Sequence, residues 1–235
     1  MHIIMPNNIC IIPARGGSKR IPRKNIKNFL GKPIIAYSIE AALKSGLFQE
    51  VMVSTDDQEI AEIAKQYGAQ VPFLRSVDNS NDFATTIDVL KEVFEKYKET
   101  EQDFDYGCCV YPTAPFVTYK LLCQAYDQLI EKNWDSILPI MKYSFPIQRS
   151  FTKNEKGIIH YQFEEYKNTR SQDLADSFHD AGQFYWFKKE LLVEDSLVSS
   201  NSGSIEISDL QGQDIDNEND WKLAELKYEI IQSIK

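Results

Sequence analysis

Ile9-Cys10-Ile11-Ile12-Pro13-Ala14-Arg15-Gly16-Gly17-Ser18-Lys19-Arg20-Ile21-Pro22-Arg23-Lys24-Asn25 is the segment from which the rest of the chain is best read. Its first four residues are an apolar run without alternation, ended by Pro13 and a glycine pair. Such a run suits a strand buried on both faces of a parallel sheet. Residues 13–25 then lie where open α/β sheets bind ligands, outside the carboxyl ends of the strands.

Working outward, Pro33 opens a segment with apolar residues at 34, 35, 39, 42 and 43, closed by Gly46. That spacing predicts a helix burying one stripe. Val51–Ser54 reads as a strand, 57–67 as a helix stopped at Gly68, and Val71–Leu74 as another strand. Helices are predicted over 86–97 and 118–131, and strands over 106–111 and 136–141. This alternation predicts an α/β fold with a mostly parallel, doubly wound sheet. Beyond Lys142 the rhythm gives way to mixed polar and aromatic segments, read as an excursion of hairpins and loops over 142–180. Residues 182–186 restore an extended run, and 221–234 read as a C-terminal amphipathic helix with an acidic approach over 214–220. The 235 residues are expected to form one main domain around this sheet.

The formal charge of -9 disfavours nucleic acid and anionic lipid at long range, and the apolar share of 43% supports a substantial core. Basic residues are nonetheless concentrated, with Arg15, Lys19, Arg20, Arg23, Lys24 and Lys27 filling six of the thirteen positions from 15 to 27. The 9–12 run is too short to span a bilayer, and no signal-peptide cleavage pattern follows it. Cys10, Cys108, Cys109 and Cys123 stand in apolar runs, as structural thiols do. A cytoplasmic protein that engages neither membrane nor nucleic acid is expected.

Gly16 and Gly17 permit close backbone approach, Ser18 adds a hydroxyl, and Arg15 and Lys24 supply charge for a polyphosphate. The segment lacks both GxGxxG and the Walker pattern, so neither a nicotinamide enzyme nor a P-loop ATPase is supported. For a glycine pair alone a solvated basic loop is the better reading, but six basic residues in thirteen positions after a buried strand favour an anion site. Asp214-Ile215-Asp216 places two carboxylates on one side of an extended segment, a geometry suited to a hard cation such as Mg²⁺. An acidic helix start is the plainer reading of the same residues.

The 13–25 segment resembles the N-terminal signature of the sugar-acid cytidylyltransferases, which include CMP-sialic acid, CMP-Kdo and CMP-pseudaminic acid synthetases. The resemblance continues through Gly31-Lys32-Pro33, Val53-Ser54-Thr55-Asp56-Asp57, the 68–75 segment and Tyr111-Pro112-Thr113-Ala114-Pro115. Phe145-Pro146-Ile147-Gln148-Arg149, Arg170-Ser171-Gln172-Asp173-Leu174 and the 179–186 segment are similar to the pseudaminate branch. Sialate enzymes carry glutamine where Tyr111 stands and Pro-Asn-Gly where Asp180-Ala181-Gly182 stands, positions that resemble sugar-pocket sites.

The resemblance implies transfer of CMP from CTP to the anomeric hydroxyl of a nine-carbon 2-keto sugar acid, with pseudaminic acid expected before N-acylneuraminates. It implies that Arg15, Gly16, Gly17, Ser18, Lys24, Asn25 and Arg75 hold the nucleotide, and that Arg15 and Lys24 also stabilise developing charge. Tyr111, Arg170 and Gln172 would meet the sugar, Arg170 through its carboxylate, and Asp214 and Asp216 would hold Mg²⁺. For Asn25 a turn role, and for Arg75 an exposed loop position, are equally compatible with the residues alone. The family resemblance also implies a homodimer whose excursion reaches the partner's sugar pocket. His179 is assigned no catalytic role. A noncatalytic nucleotide sensor on the same fold would not need the Asp214 and Asp216 pair.

Overall fold

Residues 7–234 are described by the computed structural model. The 9–12 run lies in strand β1 (Asn8–Pro13), and its side chains divide between two cores. Cys10 and Ile12 pack on one face of the sheet, Ile9 and Ile11 on the other, as the period of two requires. A short hairpin of β2 (Asn28–Phe29) and β3 (Lys32–Pro33) leads into α1 (Ile34–Ser45).

Strand β4 (Glu50–Ser54) pairs parallel with β1, and α2 (Gln58–Gln66) comes after it with Asp57 as its N-cap. Next come α3 (Thr86–Glu99), β5 (Tyr106–Val110), α4 (Tyr119–Lys132) and β6 (Ser136–Lys142). Helices α1, α2 and α4 cover the Cys10 face through residues such as Ile39, Ile60 and Leu122. Helix α3 covers the Ile9 face through Leu90, Val93 and Tyr97, joined there by Leu191 and Leu192. Helices on both faces make the sheet doubly wound.

The strand expected over Val71–Leu74 does not form. A single bridge joins Gln70 to Met52, with Gln70 N donating to Val51 O at 2.8 Å and Val53 N to Gln70 O at 2.9 Å. Pro72 then lacks the N–H that a continued ladder needs. The chain stays against β4 nonetheless, because Arg75 N donates to Thr55 O at 2.8 Å.

Past β6 the excursion carries a hairpin of β7 (Phe151–Lys153) and β8 (Ile159–Tyr161), with 3₁₀ turns around it. Strand β9 (Phe178–Asp180) returns antiparallel to the end of β6. Strand β10 (Phe184–Lys188) then runs antiparallel between β5 and β6, and β11 (Ser202–Glu206) pairs parallel on the far side of β6. Among the described residues the path across the sheet is β11-β6-β10-β5-β1-β4, mostly parallel as expected.

Helix α5 (Glu218–Ile234) starts earlier than the apolar spacing suggests. Asp220 accepts from Asp216 N and Asn217 N at 3.0 Å each, and Asn217 Oδ1 accepts from Asn219 N and Asp220 N, so the acidic approach satisfies its own amides. Trp221 of α5 packs with Phe29, Tyr37 and Ile215 in a third cluster that ties the C-terminal segment to the β2–β3 hairpin. No helix among the described residues is long and apolar enough to cross a membrane.

Candidate active site

The glycine-bearing loop leaves β1 beside β4, with Ala14 N donating to Ser54 O at 2.9 Å. Two acidic residues at the end of β4 then hold it. Asp56 accepts from Gly16 N at 2.9 Å, and Asp57 pairs through both carboxylate oxygens with Arg23, whose second nitrogen lies 2.9 Å from Oδ1. Arg23 is left-handed at φ 56°, and its guanidinium also reaches Glu59. The Arg23 hydrogen bond outweighs burial at Asp57 and holds its carboxyl down at about 2. The same carboxylate caps α2, accepting from Ile60 N at 3.0 Å. A β-carbon on Gly16 would stand 2.8 Å from Asp57 Oδ2, so glycine is needed there for close approach. At Gly17 a β-carbon would meet nothing within 4 Å, and the loop there faces open space.

From the other side Asn25, buried, donates from Nδ2 to Arg15 O at 2.9 Å and closes the loop's base. That contact gives Asn25 the structural role left open for it, while it also lines the cavity above. This cavity, about 450 Å³, brings together Arg15, Ser18, Lys24, Asn25, Tyr111 and Asp214. A neighbouring one of about 210 Å³ shares Arg15 and Tyr111 and adds Arg75, Asp82 and Thr86. A larger cavity of about 520 Å³ lies elsewhere, among Tyr37, Tyr119 and Tyr228, but there Lys32 is paired with Glu40 and lies over the Tyr37 ring, and Lys44 lies over the Tyr119 ring. Chemistry, not volume, selects the first two.

Lys24 links the loop to the acidic segment, its Nζ donating to Ile215 O at 2.6 Å. Burial pulls its pKa down, opposed by the nearby charges of Asp216 and Asp214. Ile215 is buried while Asp214 is exposed and Asp216 half-buried, so the two carboxylates lie away from the Ile215 packing side. Asp214 lines the cavity, and Asp216 holds Arg20 at 2.7 Å. The described residues contain no cluster of three or more acidic, histidine or cysteine ligands. Two carboxylates beside an anion cavity suit Mg²⁺, which fills its remaining positions with phosphate oxygens and water.

Arg75 is buried rather than exposed, its Nε donating to Ser54 Oγ at 3.0 Å. Desolvation lowers its pKa, opposed by Asp56 and Glu92. Arg170 and Gln172 are not brought to this loop within the chain. Both are exposed on the excursion, Gln172 beside a separate cavity with Tyr143, Phe145 and Leu174.

Three site residues escaped sequence reasoning. Asp82 pairs with Arg15 at 2.9 Å and also with Lys19, and Arg15 Nη1 donates to Asn81 O at 2.9 Å. Glu92, on α3, accepts from Ser76 N and Ser76 Oγ at 2.8 Å, Asn79 Nδ2 at 2.6 Å and Lys96 at 2.7 Å, fixing the loop that carries Asp82. Asp57 was legible as a helix start, but its clamp on Arg23 is tertiary and left no spacing to read.

A profile of the cytidylyltransferase family matches residues 9–199, and the chain belongs to that family. It is a nucleotidyltransferase enzyme. It is similar to the pseudaminic acid cytidylyltransferase of Campylobacter jejuni, with 43% identity over 95% of this chain and 97% of that protein. With the CMP-N,N'-diacetyllegionaminic acid synthase of Legionella pneumophila it shares 32% identity over 95% of this chain and 97% of that one. A solved CMP:2-keto-3-deoxy-manno-octonic acid synthetase complexed with CTP has the same fold, with a TM-score of 0.69 over 97% of this chain and 99% of its own at 18% identity.

Proposed function

We propose that this chain transfers CMP from CTP to the anomeric hydroxyl of pseudaminic acid, a nine-carbon 2-keto sugar acid, and releases pyrophosphate. The observation that carries this reading is the convergence of Arg15, Ser18, Lys24 and Asp214 on one cavity at the carboxyl end of β1, in a chain so similar over its length to a pseudaminic acid cytidylyltransferase.

In that cavity the guanidinium of Arg15 and the ammonium of Lys24 neutralise the phosphates, and the open backbone at Gly17 admits them closely. Ser18 donates a hydroxyl, while Asn25 keeps the loop in shape. Arg75 supports the nucleotide from the adjoining cavity. Tyr111, which lines both cavities, stands between the nucleotide and the acceptor sugar. Asp214 and Asp216 would hold Mg²⁺, which would supply positive charge at the transferring phosphate. Positioning and charge neutralisation account for most of what such a transfer requires.

The excursion is proposed to pair two copies of the chain in a homodimer and to bring Arg170 and Gln172 to the partner's sugar. Phe145, Phe151, Ile158, Ile159 and Phe178 are exposed across it, an apolar surface suited to burial between copies.

Pyrophosphate release from CTP, with pseudaminic acid and N-acetylneuraminic acid as competing acceptors, tests the assignment. A kcat/KM at least about 10²-fold higher for pseudaminic acid is expected, within the range pocket contacts supply. Equal or better use of N-acetylneuraminic acid would transfer the substrate assignment to the N-acylneuraminates, and no release with any acidic sugar would favour a nucleotide sensor.

A further inference from the structure

Tyr111 is held at three points. Its N–H donates to Gln183 O at 2.8 Å, its carbonyl accepts from Ser38 Oγ at 2.8 Å, and its hydroxyl lies 3.3 Å from Thr86 Oγ1. The ring itself rests edge-on against Tyr185, with centroids 5.7 Å apart and planes at 67°. Tyr185 stands on β10 opposite Cys109, is nearly fully buried, and lines neither cavity around the loop.

A buried phenol needs a partner for its hydroxyl. Here that partner is charged, because the Tyr185 hydroxyl donates to Asp180 Oδ2. Asp180 Oδ1 accepts in turn from Gly182 N at 2.8 Å, across a turn in which Gly182 has φ 62°. Asp180 itself ends β9 in register with Ile140 of β6. The carboxylate thus joins the last pair of the excursion's return strand to the ring beneath Tyr111. Burial raises the pKa of Tyr185, and the neighbouring Tyr111 and Asp180 add to the rise, so the phenol stays protonated and can donate.

We propose that Asp180 and Tyr185 are positioning residues that act on the acceptor sugar through Tyr111. Asp180 fixes the hydroxyl of Tyr185, Tyr185 fixes the tilt of the Tyr111 ring, and that tilt aims the Tyr111 hydroxyl at the junction of the two cavities. Neither residue lines either cavity, so each is assigned a role through Tyr111 and not the direct sugar contact that the resemblance suggests for 180–182. The inference rests on the assignment of Tyr111 to the sugar.

The test compares Tyr185→Phe, which keeps the ring and removes the hydroxyl, with Asp180→Ala and Asp180→Asn in the full chain. Tyr185→Phe and Asp180→Ala are expected to raise KM for pseudaminic acid about tenfold, the scale of one hydrogen bond, with kcat and KM for CTP within about twofold. Asp180→Asn keeps an acceptor for the Tyr185 hydroxyl and should restore most of the sugar affinity. Because the effect passes through Tyr111, Tyr111→Phe combined with Tyr185→Phe should be no worse than Tyr111→Phe alone. Additive losses, an equal rise in KM for CTP, or a wild-type sugar KM in both Tyr185→Phe and Asp180→Ala would overturn the proposal. Should Tyr185→Phe fail to fold, Asp180→Ala, at an exposed position, carries the comparison. Ligand-free protein labelled at the tyrosine ζ carbon gives a readout that needs no sugar: the Tyr111 resonance should move in Asp180→Ala and return toward wild type in Asp180→Asn. An unmoved resonance sinks the coupling, whereas wild-type enzyme inactive toward every acidic sugar sinks the proposed function and leaves that resonance test standing.

Discussion

Lys24 Nζ donates to the carbonyl oxygen of Ile215, the residue between the two aspartates proposed to hold the metal. One side chain therefore belongs to both halves of the site, and its pKa is drawn below the ordinary lysine value by burial. The protonated form is the one that would neutralise phosphate in the proposed role, so kcat/KM for CTP should fall as pH rises through a value below the usual lysine pKa of about 10.4. Lys24→Arg, charged throughout, should lack that alkaline limb, and Lys24→Met should lose about 10²-fold or more at every pH. A limb that persists unchanged in Lys24→Arg belongs to another group.

Asp214→Asn and Asp216→Asn are each expected to lower turnover by roughly 10²-fold or more, because a cation held there would lose charge at the transferring phosphate. Circular dichroism should show both variants folded, since the Ile215 packing between them is untouched. Near-normal turnover in both across a Mg²⁺ titration would remove the metal role from this pair.

Asp82 pairs with Arg15, which is proposed to meet the phosphates, and with Lys19, and would compete with phosphate for both. Asp82→Asn should therefore tighten CTP binding, by about three- to tenfold in calorimetry at low salt, with the gain shrinking as salt screens the exposed charges. Weaker binding would instead mean that Asp82 holds Arg15 in its productive orientation.

Glu92 titrates well below its usual range. Burial pushes the carboxyl up, but hydrogen bonds from Lys96, Asn79 and Ser76 prevail and bring it down to about 2. Its folded pKa being depressed, the stabilisation is present above the unfolded value of about 4.3 and is lost as pH falls toward 2. Glu92→Gln should lower Tm at pH 7, and the gap from wild type should narrow between pH 4.5 and 2.5. A gap constant with pH would show that charge at Glu92 contributes nothing.

Arg170→Ala should weaken sugar binding by roughly 10 to 150-fold and leave CTP binding nearly unchanged. If the excursion serves the partner's site, mixing Arg170→Ala with Lys24→Met subunits and allowing exchange should regain activity, because half of the mixed dimers' sites combine an intact loop with an intact Arg170. Activity that never exceeds the sum of the two parents would place Arg170 in its own chain's site or outside any site.

The βαβ order was legible because each element announces itself locally: Ile9–Ile12 as an unalternated apolar run, α1 by its stripe. The loop residues Arg15, Ser18, Lys24 and Asn25 gather because they lie close in sequence after a buried strand. Val71–Leu74 misled because β-rich composition outweighed one proline, and Arg75 was ambiguous because only the tertiary path beside β4 buries it. The tie from Asp180 to Tyr111 was out of reach for a different reason. It exists only because β10 is threaded beside β5, and nothing in the local pattern of either segment reports that neighbour.

That threading also sets an order on synthesis. Strand β10 occupies the gap between β5 and β6 although both are made before it. A nascent chain that has emerged only through Lys142 holds β4, β1 and β5 as one strip and β6 as another, each with an unpaired edge facing the other. The excursion must clear the ribosome before residues 184–188 can close that seam, so the central contacts of this sheet are long-range and late. Translation stalled anywhere along the excursion would present two apolar strand edges to chaperones and to neighbouring chains, which makes this interval, rather than the loop chemistry, the vulnerable period in the protein's production.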